Sequence, residues 1–151
     1  MLLALRTDAI ITAIAIAAAL TVTFMKGDVL FIGQWYYASV FLAIFVLSAA
    51  IKTKPLFISG AVFAAAVTFV VYLRANWAPS TAEGLLALGH LFSLPGAAIG
   101  LFITGIISRH TKSRRPALAF TTGVLGFATG FLVNQVAICG SVMACGVLLG
   151  S

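Results

Sequence analysis

The sequence predicts an all-α polytopic membrane protein, a bundle of about five transmembrane helices with its amino terminus inside and its carboxyl terminus outside. Three observations carry that expectation. Hydrophobic residues make up 62% of the chain and charged residues 8%, against about 45–50% and 25% in a soluble domain, so a water-facing surface cannot be built from what is present. Apolar runs long enough to cross roughly 30 Å of hydrocarbon recur along the chain. Lys and Arg gather in alternate connections between those runs, as the positive-inside rule requires of cytoplasmic loops. No polar stretch is long enough for a separate soluble domain, and residues 1–151 read as one integral membrane domain.

The first span is expected over residues 9–25, after a short lead containing Arg6 and Asp8. Small residues such as Ala17-Ala18-Ala19 mimic a signal-peptide cleavage site, but Asp8 and the length of the run favour a retained helix. Lys26-Gly27-Asp28 turns the chain into a second span over 29–51. Trp35, Tyr36 and Tyr37 stand early in it, where amphipathic rings favour the headgroup level, and they read together as an interfacial anchor. Lys52-Thr53-Lys54-Pro55 is expected to end that helix, because proline cannot continue the hydrogen-bond ladder. The third span, 56–73, finishes at Arg74. Asn76, Trp77 and Pro79 then form a turn-rich connection to Glu83, with Trp77 a second anchor.

The fourth span, 85–108, is a run with one histidine and no Asp, Glu, Lys or Arg. Pro95 inside it removes a backbone donor and predicts a kink that frees the carbonyl of Leu91. The loop after it holds Arg109, Lys112, Arg114 and Arg115 around a solvated His110. Pro116 then opens a fifth span over 117–138, in keeping with proline's place in the first turn of a helix. With the basic loop inside, Arg6, Lys52 and Lys54 join it, and only Lys26 and Arg74 remain outside. The apolar tail, 139–151, either extends the fifth helix or folds back near Gly140 and Ser141. Cys139 and Cys145 lie in it, six apart, which excludes a disulfide within a helix and permits one across a turn; two unlinked, packed thiols are the other reading.

Small residues recur at helical spacing. Gly96 and Gly100 in the fourth span and Gly126 and Gly130 in the fifth are GxxxG pairs, with Gly105 and Gly123 extending the two series. Lipid supplies no hydrophobic drive between helices, so missing side chains act by letting backbones approach. These two spans are expected to form a tight hairpin, with homodimerisation through the same glycines as the lesser reading.

Chemistry has little to work with: three Asp and Glu, two His and two Cys. No two His or Cys share a ligand spacing, which leaves no metal or cofactor expected, and the inventory points away from an enzyme. The absence of a carboxylate in the middle of a span weakens proton-coupled transport. The net charge of +6 lies in short loops beside apolar runs, where it sets topology and meets anionic headgroups; no nucleic-acid partner is implied.

One constellation stands out. His90 lies 18 residues before Ser108, and Asn134 lies 18 residues after Pro116. Each offset is about 27 Å of helix, which places both near the outer face with Gln135, Arg74 and Glu83 at a similar depth. That layer either lines a vestibule or recognises a partner, or His90 bonds Asn134 and merely holds the hairpin in register. The expected role is that of a small non-enzymatic protein of the bacterial inner membrane acting by contact, with a protein partner in the membrane or periplasm. It would serve as an accessory subunit of a membrane assembly or as an immunity or exclusion protein. A small transporter or channel using the polar layer is the alternative.

Overall fold

In hydrocarbon every backbone polar group must find its partner within the chain, and apolar runs of this length do so as helices. The computed structural model describes residues 2–28, 32–77, 85–112 and 115–141. It contains α1 (Leu2–Lys26), α2 (Gln34–Ala50), α3 (Phe57–Trp77), α4 (Leu85–His110) and α5 (Pro116–Ser141), with no strand among the described residues. Segments of α1, α3, α4 and α5, at 22, 19, 23 and 24 residues, are long and apolar enough to cross a membrane. Helix α2, at 17 residues, stands at the short limit for a crossing.

Several boundaries differ from the sequence reading. Helix α1 begins at Leu2 and not near residue 9, so Arg6 and Asp8 are helical. Helix α2 stops at Ala50, well before Pro55. Its end is closed by Lys52 N–H to the Ala49 carbonyl (3.0 Å) and Thr53 N–H to the Ser48 carbonyl (3.3 Å), with Lys52 at φ 58°. That is a Schellman turn with lysine in the left-handed position usually held by glycine. Helix α3 continues past Arg74 to Trp77, absorbing part of the expected connection, and α4 passes through Pro95 without interruption. Of the two readings of the tail, the helix itself extends through Ser141; residues 142–151 lie outside the described ones.

Contacts between ends fix the arrangement. Asp8 of α1 meets the start of α3, and Lys54 donates to the Thr111 carbonyl, joining the α2–α3 and α4–α5 loops. Tyr36 at the start of α2 meets His90 at the start of α4, while Tyr72 late in α3 meets Gln135 late in α5. Successive helices therefore alternate in direction. Arg6, Lys52, Lys54, Lys112 and Arg115 share one end of the bundle; Lys26 and Arg74 stand at the other. Helix α3 is the most buried, packed by α1, α2, α4 and α5, and its Phe57, Ala61, Val62, Ala65 and Phe69 form the centre of the core. The outward faces carry exposed apolar side chains, among them Ile14, Phe24, Ile99, Leu132 and Val136. In a membrane protein these are the lipid-facing surface.

Candidate functional site

The seam between α4 and α5 sets the geometry of everything polar. A Cβ built at Gly100 would overlap the Gly126 carbonyl and lie 3.1 Å from the Gly130 Cα, and one at Gly96 would overlap the Gly130 carbonyl and the Asn134 side chain. The backbones pack here with no room for a Cβ, and close packing is in lipid a principal source of association. Gly105 and Gly123 do not extend this seam. Gly105 faces Ile51 and Thr53, and a Cβ at Gly123 would overlap the Phe57 carbonyl of α3. Gly60 in turn abuts the Phe120 carbonyl, so α5 is pressed between two helices on different faces.

His90 is fully buried, at 0% exposure, at the meeting point of α2, α3 and α4. Its Nδ1 lies 2.7 Å from the Tyr36 hydroxyl and its Nε2 3.1 Å from Thr68 Oγ1. Thr68 has a single hydroxyl proton, which it donates to the Ala65 carbonyl at 2.7 Å. Nε2–H must then donate to Thr68, and in the neutral ring Nδ1 accepts from Tyr36. Aromatic rings close the surroundings. Phe69 stacks at 4.6 Å, Tyr72 stands edge-on at 4.9 Å and Phe131 lies tilted at 5.1 Å.

Gln135 forms the adjoining group. Tyr72 donates to its Oε1 at 2.7 Å, and the Ser93 hydroxyl is shared between the Gly89 carbonyl, at 2.8 Å, and the same Oε1. Gln135 is thus joined to the layer of His90 through Tyr72, whose hydroxyl meets Gln135 and whose ring meets His90. Asn134 is not. It donates instead to the Phe92 carbonyl, beside the Leu91 carbonyl that Pro95 deprives of an intrahelical donor, and so ties α5 to that turn of α4. His90 and Gly96 are six residues apart, about 240° around the helix and about 9 Å along it. The residue that packs on Gly96 therefore cannot reach His90, and the expected His90–Asn134 bond is replaced by two separate attachments.

Arg74 is exposed in the last turn of α3, apart from these groups. Glu83 and Cys145 lie outside the described residues, which leaves the Cys139–Cys145 pairing there as well. The expected anchor of three rings reduces to one. Trp35 is 87% exposed, whereas Tyr37 is fully buried and donates to Asp28 at 2.8 Å, and Tyr36 turns inward to His90. Trp77 is partly exposed at the end of α3.

Comparison of the chain with protein-family models, characterised proteins and solved structures returns no match.

Asp8 has a part that the sequence reading did not give it. It is 2% exposed and its carboxylate accepts from Leu56 N–H (3.2 Å), from Ser59 N–H (3.1 Å) and from the Ser59 hydroxyl. One helix thereby caps the amino terminus of another, satisfying donors that α3 leaves unpaired and placing a negative charge at the positive end of its dipole. Leu56 holds φ 67° there. A carboxylate inside a helical apolar run was the available signal. Thr68 and Tyr72, four apart on α3, and His90 and Ser93, three apart on α4, were also legible as polar pairs on one helix face.

Proposed function

We propose that this chain is a small, non-enzymatic protein of the bacterial inner membrane that crosses the bilayer five times and acts by contact. It serves as an accessory subunit of a membrane assembly or as an immunity or exclusion protein. The observation that carries the reading is where its polar groups are engaged. Asp8 caps α3, Asp28 accepts from Tyr37 and from Gly33 N–H at the start of α2, and His90 is held by Tyr36 and Thr68 behind aromatic rings. Groups engaged in this way maintain a shape, and the surface that shape presents to its surroundings is apolar helix. The cationic end is assigned to the cytoplasm by the positive-inside rule, with the amino terminus inside and the carboxyl terminus outside, where a Cys139–Cys145 disulfide would form.

Affinity purification of the full chain from native membranes in mild detergent tests the contact role. A companion protein recovered in fixed stoichiometry is expected. Isolation alone at every detergent strength, together with solute flux in liposomes, would replace it with the transporter reading. Orientation is read by labelling single cysteines at Lys112 and Gly27 in a Cys139→Ser, Cys145→Ser background; Gly27 is expected to react from the periplasmic side and Lys112 only after permeabilisation. Alkylation mass with and without reductant reads the disulfide in the unaltered chain.

A further inference from the structure

On the lipid-facing side of the α4–α5 seam lies a groove of about 350 Å³, with Gly100 and Gly130 in its lining. Ile99, Ile103 and Val133 border it and are 61%, 52% and 72% exposed. The glycines themselves are spent on the contact between the two helices, so the polar groups of the groove decide what it can bind. Thr104 and Thr129 donate their hydroxyl protons to the Gly100 and Leu125 carbonyls of their own helices. Asn134 is answered only in part. It gives one amide proton to the Phe92 carbonyl, and an amide side chain carries a second N–H and an acceptor oxygen; neither has a partner among the described residues. Depth makes this costly. The apolar segment Pro116–Cys139 has its middle between Phe127 and Ala128, and Asn134 lies about 10 Å beyond it, inside the half-thickness of about 15 Å of hydrocarbon. Lipid chains offer neither a donor nor an acceptor there.

We propose that this face docks on the same face of a second copy of the chain, with the two Asn134 side chains hydrogen-bonded to each other across the dyad. The unspent groups of Asn134 are one donor and one acceptor, which is a self-complementary set: the N–H of each copy meets the Oδ1 of the other. Copies of one chain enter the bilayer with the same orientation, so a two-fold axis relating them runs along the membrane normal and brings the two Asn134 residues to the same depth. A different protein would need its own polar side chain at that height. Shape is self-complementary in the same sense, because Ile99 and Val133 stand out beside a groove into which the corresponding side chains of a partner copy fit, and close packing of this kind drives association where lipid supplies no hydrophobic drive. A lipid chain is the poorer occupant, since it covers Asn134 without answering it. This contact is separate from the proposed contact with another protein and does not rest on it.

The test is Förster transfer between copies of the full chain carrying donor and acceptor fluorophores at Lys112→Cys in a Cys139→Ser, Cys145→Ser background, reconstituted in phosphatidylcholine vesicles and diluted with lipid. Transfer that rises linearly with the acceptor fraction, as a dimer requires, is expected. Thr129→Trp and Val133→Trp, which fill the groove from its lipid side and leave Asn134 in place, abolish it. Asn134→Ala removes two symmetric hydrogen bonds and lowers association about tenfold. Leu42→Trp, on the exposed face of α2, leaves transfer unchanged. Unchanged helical circular dichroism identifies the folded variants; the two tryptophan substitutions lie on the lipid-facing surface and do not touch the α4–α5 seam. Absence of transfer in the unaltered face, which would leave the groove to a different protein, overturns the proposal. So does transfer undiminished in a folded Thr129→Trp, Val133→Trp or Asn134→Ala variant, or lost equally in Leu42→Trp.

Discussion

Replacing His90 by alanine and by phenylalanine separates the two things this residue does. The ring is fully buried with rings on several sides, so truncation to alanine leaves a cavity of nearly a whole aromatic side chain. Losses of that kind cost about 3–5 kcal/mol, and the lost dispersion contacts are the relevant quantity in a bilayer, where no hydrophobic drive between helices exists to be lost. The Tyr36 hydroxyl, 2.7 Å from Nδ1, is orphaned as well. His90→Phe keeps the packing and removes two hydrogen bonds, each worth about 0.6 kcal/mol on average between membrane helices, so its cost is about 1–2 kcal/mol. The assay is reversible unfolding by denaturing detergent in bicelles, followed by tryptophan fluorescence from Trp35 and Trp77. A ratio of roughly three between the two variants is expected. Equal costs would mean that the hydrogen bonds and not the packing hold this layer, and a cost below about 1 kcal/mol for His90→Ala would refute the burial on which the argument rests.

Asp8→Ala should destabilise the bundle by at least the value of a helix cap, about 1 kcal/mol, and Asp8→Asn, which retains an acceptor, by less; the same detergent titration reads both. Gly100→Ala sets a methyl group against the Gly126 carbonyl and should cost about 1–3 kcal/mol. Gly105→Ala, whose neighbours are the movable side chains of Thr53 and Ile51 at 3.2 Å and beyond, should cost clearly less; equal losses would show that the α4–α5 approach is not as drawn. Lys52→Gly should stabilise the chain, since the left-handed conformation costs an L-residue about 1–2 kcal/mol and glycine returns about 0.5–1 of that as chain entropy; a fall in the unfolding midpoint would contradict the Schellman turn.

The helical class and the number and order of the helices were legible because apolar length and loop charge are written along one dimension. What needed the third dimension was rotation and register. Placing His90 and Asn134 by counting inward from Ser108 and Pro116 assumed that the two helices begin level and face one another at every height. The glycine seam decides otherwise: it sets Asn134 against Gly96, and six residues of helix turn His90 away from that face into the company of α2 and α3. The counting still brought Gln135 to the correct neighbourhood, because Gln135 is one residue, about 100°, further round α5 and faces Tyr72 and Ser93. Tyr36 and Tyr37 were misread for a related reason. A tyrosine at the start of a span satisfies the rule for an interfacial ring and the rule for a buried ring with a hydroxyl partner equally well, and only the presence of Asp28 and His90 within reach distinguishes them.

The polar side chains obey one logic that composition alone conceals. A helix entering hydrocarbon leaves its first N–H groups without partners, and Gly33 at the start of α2 provides no side-chain cap. The two described carboxylates answer this at opposite ends of the bundle, Asp28 beside the start of α2 and Asp8 from α1 onto α3. Asn134 adds a donor to the Phe92 carbonyl, next to the Leu91 carbonyl that Pro95 leaves without one. Each acceptor or donor comes from a different helix or loop than the backbone group it satisfies, except at Asp28, so the contacts that complete the backbone also fix how the helices pack. Among the described residues little polar chemistry is left to face outward, because Tyr72, Ser93 and Gln135 spend theirs on the interior layer.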